Sequence, residues 1–310
     1  MSCKILAQEF KDTLIKTYHD IVYHEHASSY IGMSITRSTH LDQIYVSQFG
    51  LTNRVIADFL PDEFPKASSP ASSHLFNNVS EGQKYDRIKY LSLIMAMMYI
   101  ARLTRPDILL SISYLATKSQ QPTDADYKNA LRVLSYLKET STYGIKIHCQ
   151  ELRFHLHCDA SWASHHDGNS HTGWILKMGT SYLGCKSSKQ RVGSPSSTDA
   201  EIIATADGLK NLKWLDSLTI EIGLNLQTCY LYQDNLSAFK VIQRQTKTKQ
   251  LKHLLSKINL AQQYHADKLF EIIQTPTDEM IADSLTKPKA AYNYATVETA
   301  RLGVYKMPNY

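Results

Sequence analysis

Apolar residues fall at helical spacing over residues 4–18, where Ile5, Leu6, Phe10, Leu14 and Ile15 share a face. Two short runs rich in Ile, Tyr and Val come next, at 29–36 and 43–48. With Ser38-Thr39-His40 between them they predict a hairpin. A helix is expected over 49–60, and the Pro-, Ser- and Asn-rich stretch 61–82 reads as a loop or linker. Three helices are then predicted at 84–102, 104–118 and 123–139. The second has Pro106 in its first turn behind a Thr104 cap, and the third opens at Pro122-Thr123-Asp124. Their apolar faces (Leu91, Ile94, Met98; Ile108, Ile112, Leu115; Leu131, Leu134, Leu137) suit a small bundle, with Met95, Met97 and Met98 as core filler.

Near residue 143 the pattern changes. Strands are predicted at 144–149, 152–158, 172–178 and 181–185, then a long helix from 198 to about 223. A strand at 229–233, helices at 235–243 and 250–265, a strand at 269–273 and a last helix at 277–286 complete the order. Strands followed by alternating helix and strand predict an α/β layered arrangement around a mixed sheet. Trp162 and Trp174 are expected in its core.

Composition narrows this picture only slightly. Apolar residues at 43% and charged ones at 20% are the balance of a folded chain, and 310 residues leave room for more than one domain. A net charge of +5 permits a nucleic-acid partner without demanding one, so where the charge sits matters more than its sum. Cys3, Cys149, Cys158, Cys185 and Cys229 form no C-x-x-C pair, which points to buried thiols in a reducing compartment. His24-x-His26 and His155-x-His157 lack partners at zinc-ligand spacing. Lys4, Glu9 and Lys11 interrupt any secretory signal, and Leu91–Ala101 is far short of the ~20 residues of a membrane span. An intracellular chain without a membrane partner is expected.

Four acids, Asp159, Glu201, Asp234 and Asp283, each stand at the end of a predicted strand or inside the helix that follows one. Metal-assisted phosphodiester hydrolysis needs several carboxylates around two dications about 3.5–4 Å apart. An all-oxygen set suits Mg²⁺ better than histidine or cysteine would. Each acid also has a structural reading. Thr198-x-x-Glu201 has the form of a capping box, Asp234 stands where a helix cap belongs, Asp159 could be a turn residue and Asp283 a surface one.

Several strings carry a closer resemblance. They are Asp159-Ala160-Ser161-Trp162-Ala163, Ser170-His171-Thr172-Gly173-Trp174, Ser188-Lys189-Gln190, Ser196-Ser197-Thr198-Asp199-Ala200-Glu201, Asp234-Asn235-Leu236-Ser237-Ala238 and Ala282-Asp283-Ser284-Leu285-Thr286-Lys287. Through them residues 144–288 resemble the ribonuclease H domain of copia-type LTR retrotransposon Pol polyproteins. Thr104-Arg105-Pro106-Asp107-Ile108 and Leu131–Lys138 resemble that family's connection region, and residues 4–60 more weakly the end of its reverse transcriptase. Asp199 stands where the family usually has Glu, and Gln233 where it commonly has Cys.

The resemblance implies a ribonuclease H-like mixed five-stranded sheet with flanking helices, preceded by a smaller α+β, helical reverse-transcriptase remnant. The implied division is 1–82 for the remnant and linker, 83–143 for the connection region, 144–288 for the nuclease and 289–310 for a tail. It also implies an endonuclease that cuts the RNA strand of RNA–DNA hybrids with two Mg²⁺ or Mn²⁺ ions held by Asp159, Glu201, Asp234 and Asp283. No adjacent Asp-Asp pair occurs, so polymerase activity is not expected from this chain. The expected partners are the hybrid and the rest of a Pol polyprotein, not a small molecule. The setting would be the cytoplasm, within a virus-like particle if the element is active, with the nucleus open as well.

For hybrid binding the candidates are Lys189 and Gln190, with Lys186 and Arg191 beside them, and a strip without acids that holds Lys240, Arg244, Lys247, Lys249, Lys252, His253 and Lys257. Such a strip is equally a solvated helix face. The competing reading of the whole is a non-enzymatic relic that binds nucleic acid or a partner Pol protein. A DNA transposase or exonuclease on a similar sheet fits the acids but not the flanking strings.

Overall fold

The computed structural model describes Cys3 to Pro308, apart from residues 19–21, 23, 25–26, 39–42, 73–74, 78–81, 149, 247–248 and 290–293. His26, Cys149 and Lys247 therefore lie outside the described residues, as do the side chains of Cys3 and Lys249.

Ten strands among the described residues form two five-stranded sheets. The first is antiparallel throughout, in the order β1 (Ser29–Tyr30), β2 (Met33–Arg37), β3 (Ile44–Ser47), β4 (Tyr143–Ile147), β10 (Val304–Lys306). The hairpin expected at 29–48 is present as β2 and β3. The run 29–36 is split, because Ile31 and Gly32 both take positive φ (41° and 78°) and turn the chain back on itself. The run expected as a strand from residue 144 is β4, and it pairs with β3 and β10 rather than with the strands that carry the acids. Its other neighbour comes from the last residues of the chain, where a tail was expected.

The second sheet runs β7 (Ser181–Lys189), β6 (His171–Met178), β5 (Arg153–Ser161), β8 (Gln227–Gln233), β9 (Phe270–Gln274). Strands β5, β6 and β7 form an antiparallel meander, and β5, β8 and β9 are parallel. It is the mixed five-stranded sheet with flanking helices that the sequence leads one to expect.

Helices α1 (Cys3–Thr17) and α2 (Phe49–Phe59) precede a bundle of α3 (Arg87–Leu103), α4 (Leu109–Ala116) and α5 (Asp124–Glu139). Thr123 caps α5 in a reciprocal box with Asp126. Thr104 does not cap the segment after it. Its hydroxyl donates to Gln48 Oε1 at 2.9 Å, and Arg105 takes the cap position while its guanidinium clasps buried Asp107. The face of α3 that meets the core is Leu93, Ile94, Met97 and Ile100; Leu91 and Met95 are exposed, contrary to the expectation that they pack.

The bundle core continues through Ile112, Leu115 and Leu134 to Ile175 and Tyr182 on one face of the second sheet. The opposite face is covered by α6 (Ser197–Glu221), whose Leu209 and Leu212 pack on Leu156, Cys158, Trp174 and Leu231. Beside α6 on that face lie α7 (Leu236–Ile242) and α8 (Leu255–Ala266), which share the sheet's core through Ile242 and Ala261 and join α6 through Ile202, Val241 and Ile258. The sheet with the acids is thus the middle layer between two helical layers. The helix expected at 277–286 is two 3₁₀ turns instead, Thr277–Glu279 and Ile281–Leu285. No helix of the described residues is long and apolar enough to cross a membrane.

Candidate functional site

Asp159 lies on β5, opposite Gly173 of β6. Because Gly173 has no side chain, the 3₁₀ turn Ile281–Leu285 settles directly on the strand there: a Cβ would lie 2.5 Å from Thr286 Cγ2 and 3.0 Å from Leu285 Cβ. The contact brings Thr286 Oγ1 into a short hydrogen bond to Asp159 Oδ2 and brings Asp283 alongside.

Glu201 comes from the first turns of α6. The cap there is Ser196, whose hydroxyl accepts the Asp199 N–H at 3.2 Å and donates to the Asp199 carboxylate. Ser196 and Asp199 therefore do the capping that the structural reading of this string would give to Thr198 and Glu201. Glu201 is left free to point at β5, where Oε1 accepts the Ala160 N–H at 3.1 Å.

The same holds for Asp234. Asn235 caps α7 by accepting the Ala238 N–H at 3.0 Å. Gln233 pins the end of β8 to α6 through Thr205 Oγ1 at 3.1 Å. Asp234, half-buried between them, turns toward the other acids.

Oxygens of Asp159, Glu201 and Asp234 lie within 4.8 Å of one another. Asp159 and Glu201 are buried, at 1% and 5% exposure. Asp283 is buried beside them but stands outside the trio, with Lys287 Nζ 2.5 Å from its Oδ1 and Lys289 on its Oδ2. Lys287 also reaches within 3.8 Å of Asp159 Oδ2.

Burial pushes the Asp159 carboxyl up to about 6; Lys287 and Thr286 oppose the shift, while Asp283 and Asp234 add to it. Glu201 is pushed well above the usual carboxylate range, first by burial and then by Asp159 and Asp234, against the Ala160 N–H and the Gln233 amide. Its Oε2 is buried and makes no hydrogen bond of ordinary geometry among the described residues. Three crowded carboxylates, one with an unsatisfied buried oxygen, form a donor set that fits a hard dication such as Mg²⁺.

The basic candidates divide. Lys186, Lys189, Arg191, Lys210 and Lys257 line an open groove of about 900 Å³ beside α6 and β7. Lys186 pairs there with Asp207 at 2.7 Å, and Lys189 with Asp167. Gln190 lines the same groove but is buried, its amide donating to Thr172 Oγ1 and Ala200 O, both at 3.0 Å. It ties β6 to the start of α6 and has no free donor for a ligand. Lys240 is half-buried on α7, and Arg244 and Lys252 are exposed away from the groove lining. His253 Nε2 lies 2.5 Å from Asp199 Oδ1.

Trp174 is buried and donates to Asp207 Oδ2 at 2.8 Å. Trp162 is 52% exposed, its indole N–H on Ser194 O, so it does not join the core as expected. Sequence reasoning gave no role to Thr286, Lys287 or Lys289. The signal that could have found Lys287 was its i, i+4 spacing from Asp283.

No family model matches the chain. It is 28% identical over 98% of its length to the retrovirus-related Pol polyprotein from transposon RE2 of Arabidopsis thaliana. It is 24% identical over 84% of its length to that from transposon TNT 1-94 of Nicotiana tabacum. The chain spans 21% and 20% of these relatives, about a fifth of their length. Among solved structures, LC11-RNase H1 in complex with an RNA/DNA hybrid matches at 15% identity with a TM-score of 0.33, covering 43% of this chain and 94% of that one.

Proposed function

We propose that this chain, whose homologues are retrovirus-related Pol polyproteins of transposons, is a ribonuclease H-like endonuclease. It would cut the RNA strand of RNA–DNA hybrids within a retrotransposon's reverse transcription, without polymerase activity of its own. The observation that carries this reading is the convergence of Asp159, Glu201 and Asp234 from two strand ends and one helix onto a single point. Buried carboxylates at such separations repel one another, which disfavours an arrangement that has no cation to hold.

Asp159, Glu201 and Asp234 would hold Mg²⁺ or Mn²⁺, with Asp283 as a further ligand if Lys287 and Lys289 give it up. Bound, the two ions supply Lewis acidity toward the attacking water and the leaving 3′ oxygen. The rest is the work of this chain. Thr286 fixes the rotamer of Asp159, and the Ala160 N–H fixes that of Glu201. Half-buried Asp234 marks the open side on which a sugar–phosphate backbone would approach. The groove lined by Lys186, Lys189, Arg191, Lys210 and Lys257 offers charge to the phosphates, and choice of RNA would require contacts to the 2′-hydroxyl.

The experiment is cleavage of a hybrid labelled on its RNA strand, with Mg²⁺ or Mn²⁺, with EDTA, and with Asp159→Asn and Asp234→Asn. Cutting should need the metal and should fall by at least ~10² in kcat in either variant, the size of losing one major electrostatic contributor. The relic reading predicts hybrid binding without cutting under any metal. Primer extension on RNA and DNA templates should give no product, and any template-dependent product would overturn that part of the assignment.

A further inference from the structure

The carboxylate site carries a cation of its own. Lys287 follows Asp283 by four residues, and its Nζ lies 2.5 Å from Asp283 Oδ1 and 3.8 Å from Asp159 Oδ2. Lys289 holds the other oxygen of Asp283. The two acids are buried, whereas the Lys287 side chain is 42% exposed. The acids are thus fixed from within, while the lysine enters from the solvent side on a flexible stem and can withdraw the same way. Its ammonium lies near Asp159, one of the three carboxylates that a dication would use. Like charges at this separation exclude each other from a shared carboxylate.

We propose, on the basis of the metal-dependent reading above, that Lys287 is the built-in counter-cation of this site. It holds Asp159 and Asp283 together in the metal-free chain and competes with the first dication for Asp159. It thereby sets the metal concentration at which the site fills. Lys287 acts here as a positioning residue, through Asp159 and Asp283. A plain i, i+4 ion pair would instead support its turn equally with and without metal, and would leave metal affinity alone.

The test needs no nucleic acid. The purified chain, Lys287→Met and Lys287→Arg are titrated with Mg²⁺ by calorimetry and by thermal unfolding. The Met variant should bind Mg²⁺ about tenfold tighter or more. It should melt below wild type without metal and regain the difference at saturating Mg²⁺, and the Arg variant should follow wild type. If Lys287→Met does not fold, Lys287→Gln is titrated in its place with the same expectation. Mg²⁺ binding that Asp159→Asn abolishes but loss of the Lys287 charge leaves unchanged or weakens would overturn the role of Lys287 alone. A wild-type chain that binds no Mg²⁺ would overturn the metal site itself, and this proposal with it.

Discussion

Gly173 and Thr286 meet so closely that a single methyl at Gly173 would lie 2.5 Å from Thr286 Cγ2. The bare stretch of β6 is the floor for the segment that carries Asp283, and Thr286 turns that seating into a hydrogen bond on Asp159. Gly173→Ala should therefore cost about 1–3 kcal/mol of stability through overpacking. It should also displace Thr286 and Asp283 from Asp159. Thermal unfolding reads the first effect. Hybrid cleavage at a temperature where the variant is folded reads the second, and kcat should fall there too. Wild-type values in both assays would mean that the segment yields freely and does not position the site.

The buried acids make a second expectation, about pH. Asp159 has a folded pKa of about 6 against 3.8 for an ordinary aspartate, so between these values the folded chain binds more protons than the unfolded one. The Asp159 contribution to stability in EDTA should then fall as pH rises from about 4 to 6, by on the order of 3 kcal/mol for about two units. Glu201, shifted the same way by burial, extends the fall to higher pH. His157, His165 and His171, pushed below the usual imidazole range by burial, act in the opposite direction over the same window. The Asp159 share is read as the difference in stability between wild type and Asp159→Asn, which should fall from about pH 4 to 6 in EDTA. Saturating Mg²⁺ should remove most of that fall by favouring the charged form. A wild-type minus Asp159→Asn difference that rises from about pH 4 to 6 would show that this carboxylate is charged at low pH after all.

How far the sequence led is clearest at particular residues. The strands β5, β6, β8 and β9, and helix α6, follow from local apolar pattern, since each is decided by residues within itself. The local cap readings of Glu201 and Asp234 fail because Ser196 and Asn235, each a position or more away, take those roles. A sequence with several adjacent cap formers does not say which one is used. The seating of residues 281–286 was hidden for another reason: it depends on a missing Cβ more than a hundred residues earlier. Likewise β10 pairs with β4 across most of the second half of the chain, a non-local choice that no window of sequence records. Tyr294 adds to that closure by donating to Asp107 O at 2.6 Å.

The basic groove supports the last expectation. Lys257 and Arg191 reach it from α8 and from the loop before α6, and, unlike Lys186 and Lys189, have no ion pair to an acid among the described residues. Their charge is the more available for phosphates. Changing both to Ala should weaken binding to hybrids of any sequence, since backbone contacts carry no base information. The plot of log affinity against log salt should flatten by up to about 2, near 0.9 for each phosphate no longer neutralised on a B-like duplex. Lys240→Ala with Arg244→Ala, which lie outside the groove lining, is the matched control and should leave the slope as it is. Binding is measured in Ca²⁺ or EDTA, so that cutting does not consume the hybrid. An unchanged slope in the groove variant, with a flattened one in the control, would move the nucleic-acid face to α7 and return the groove to solvent.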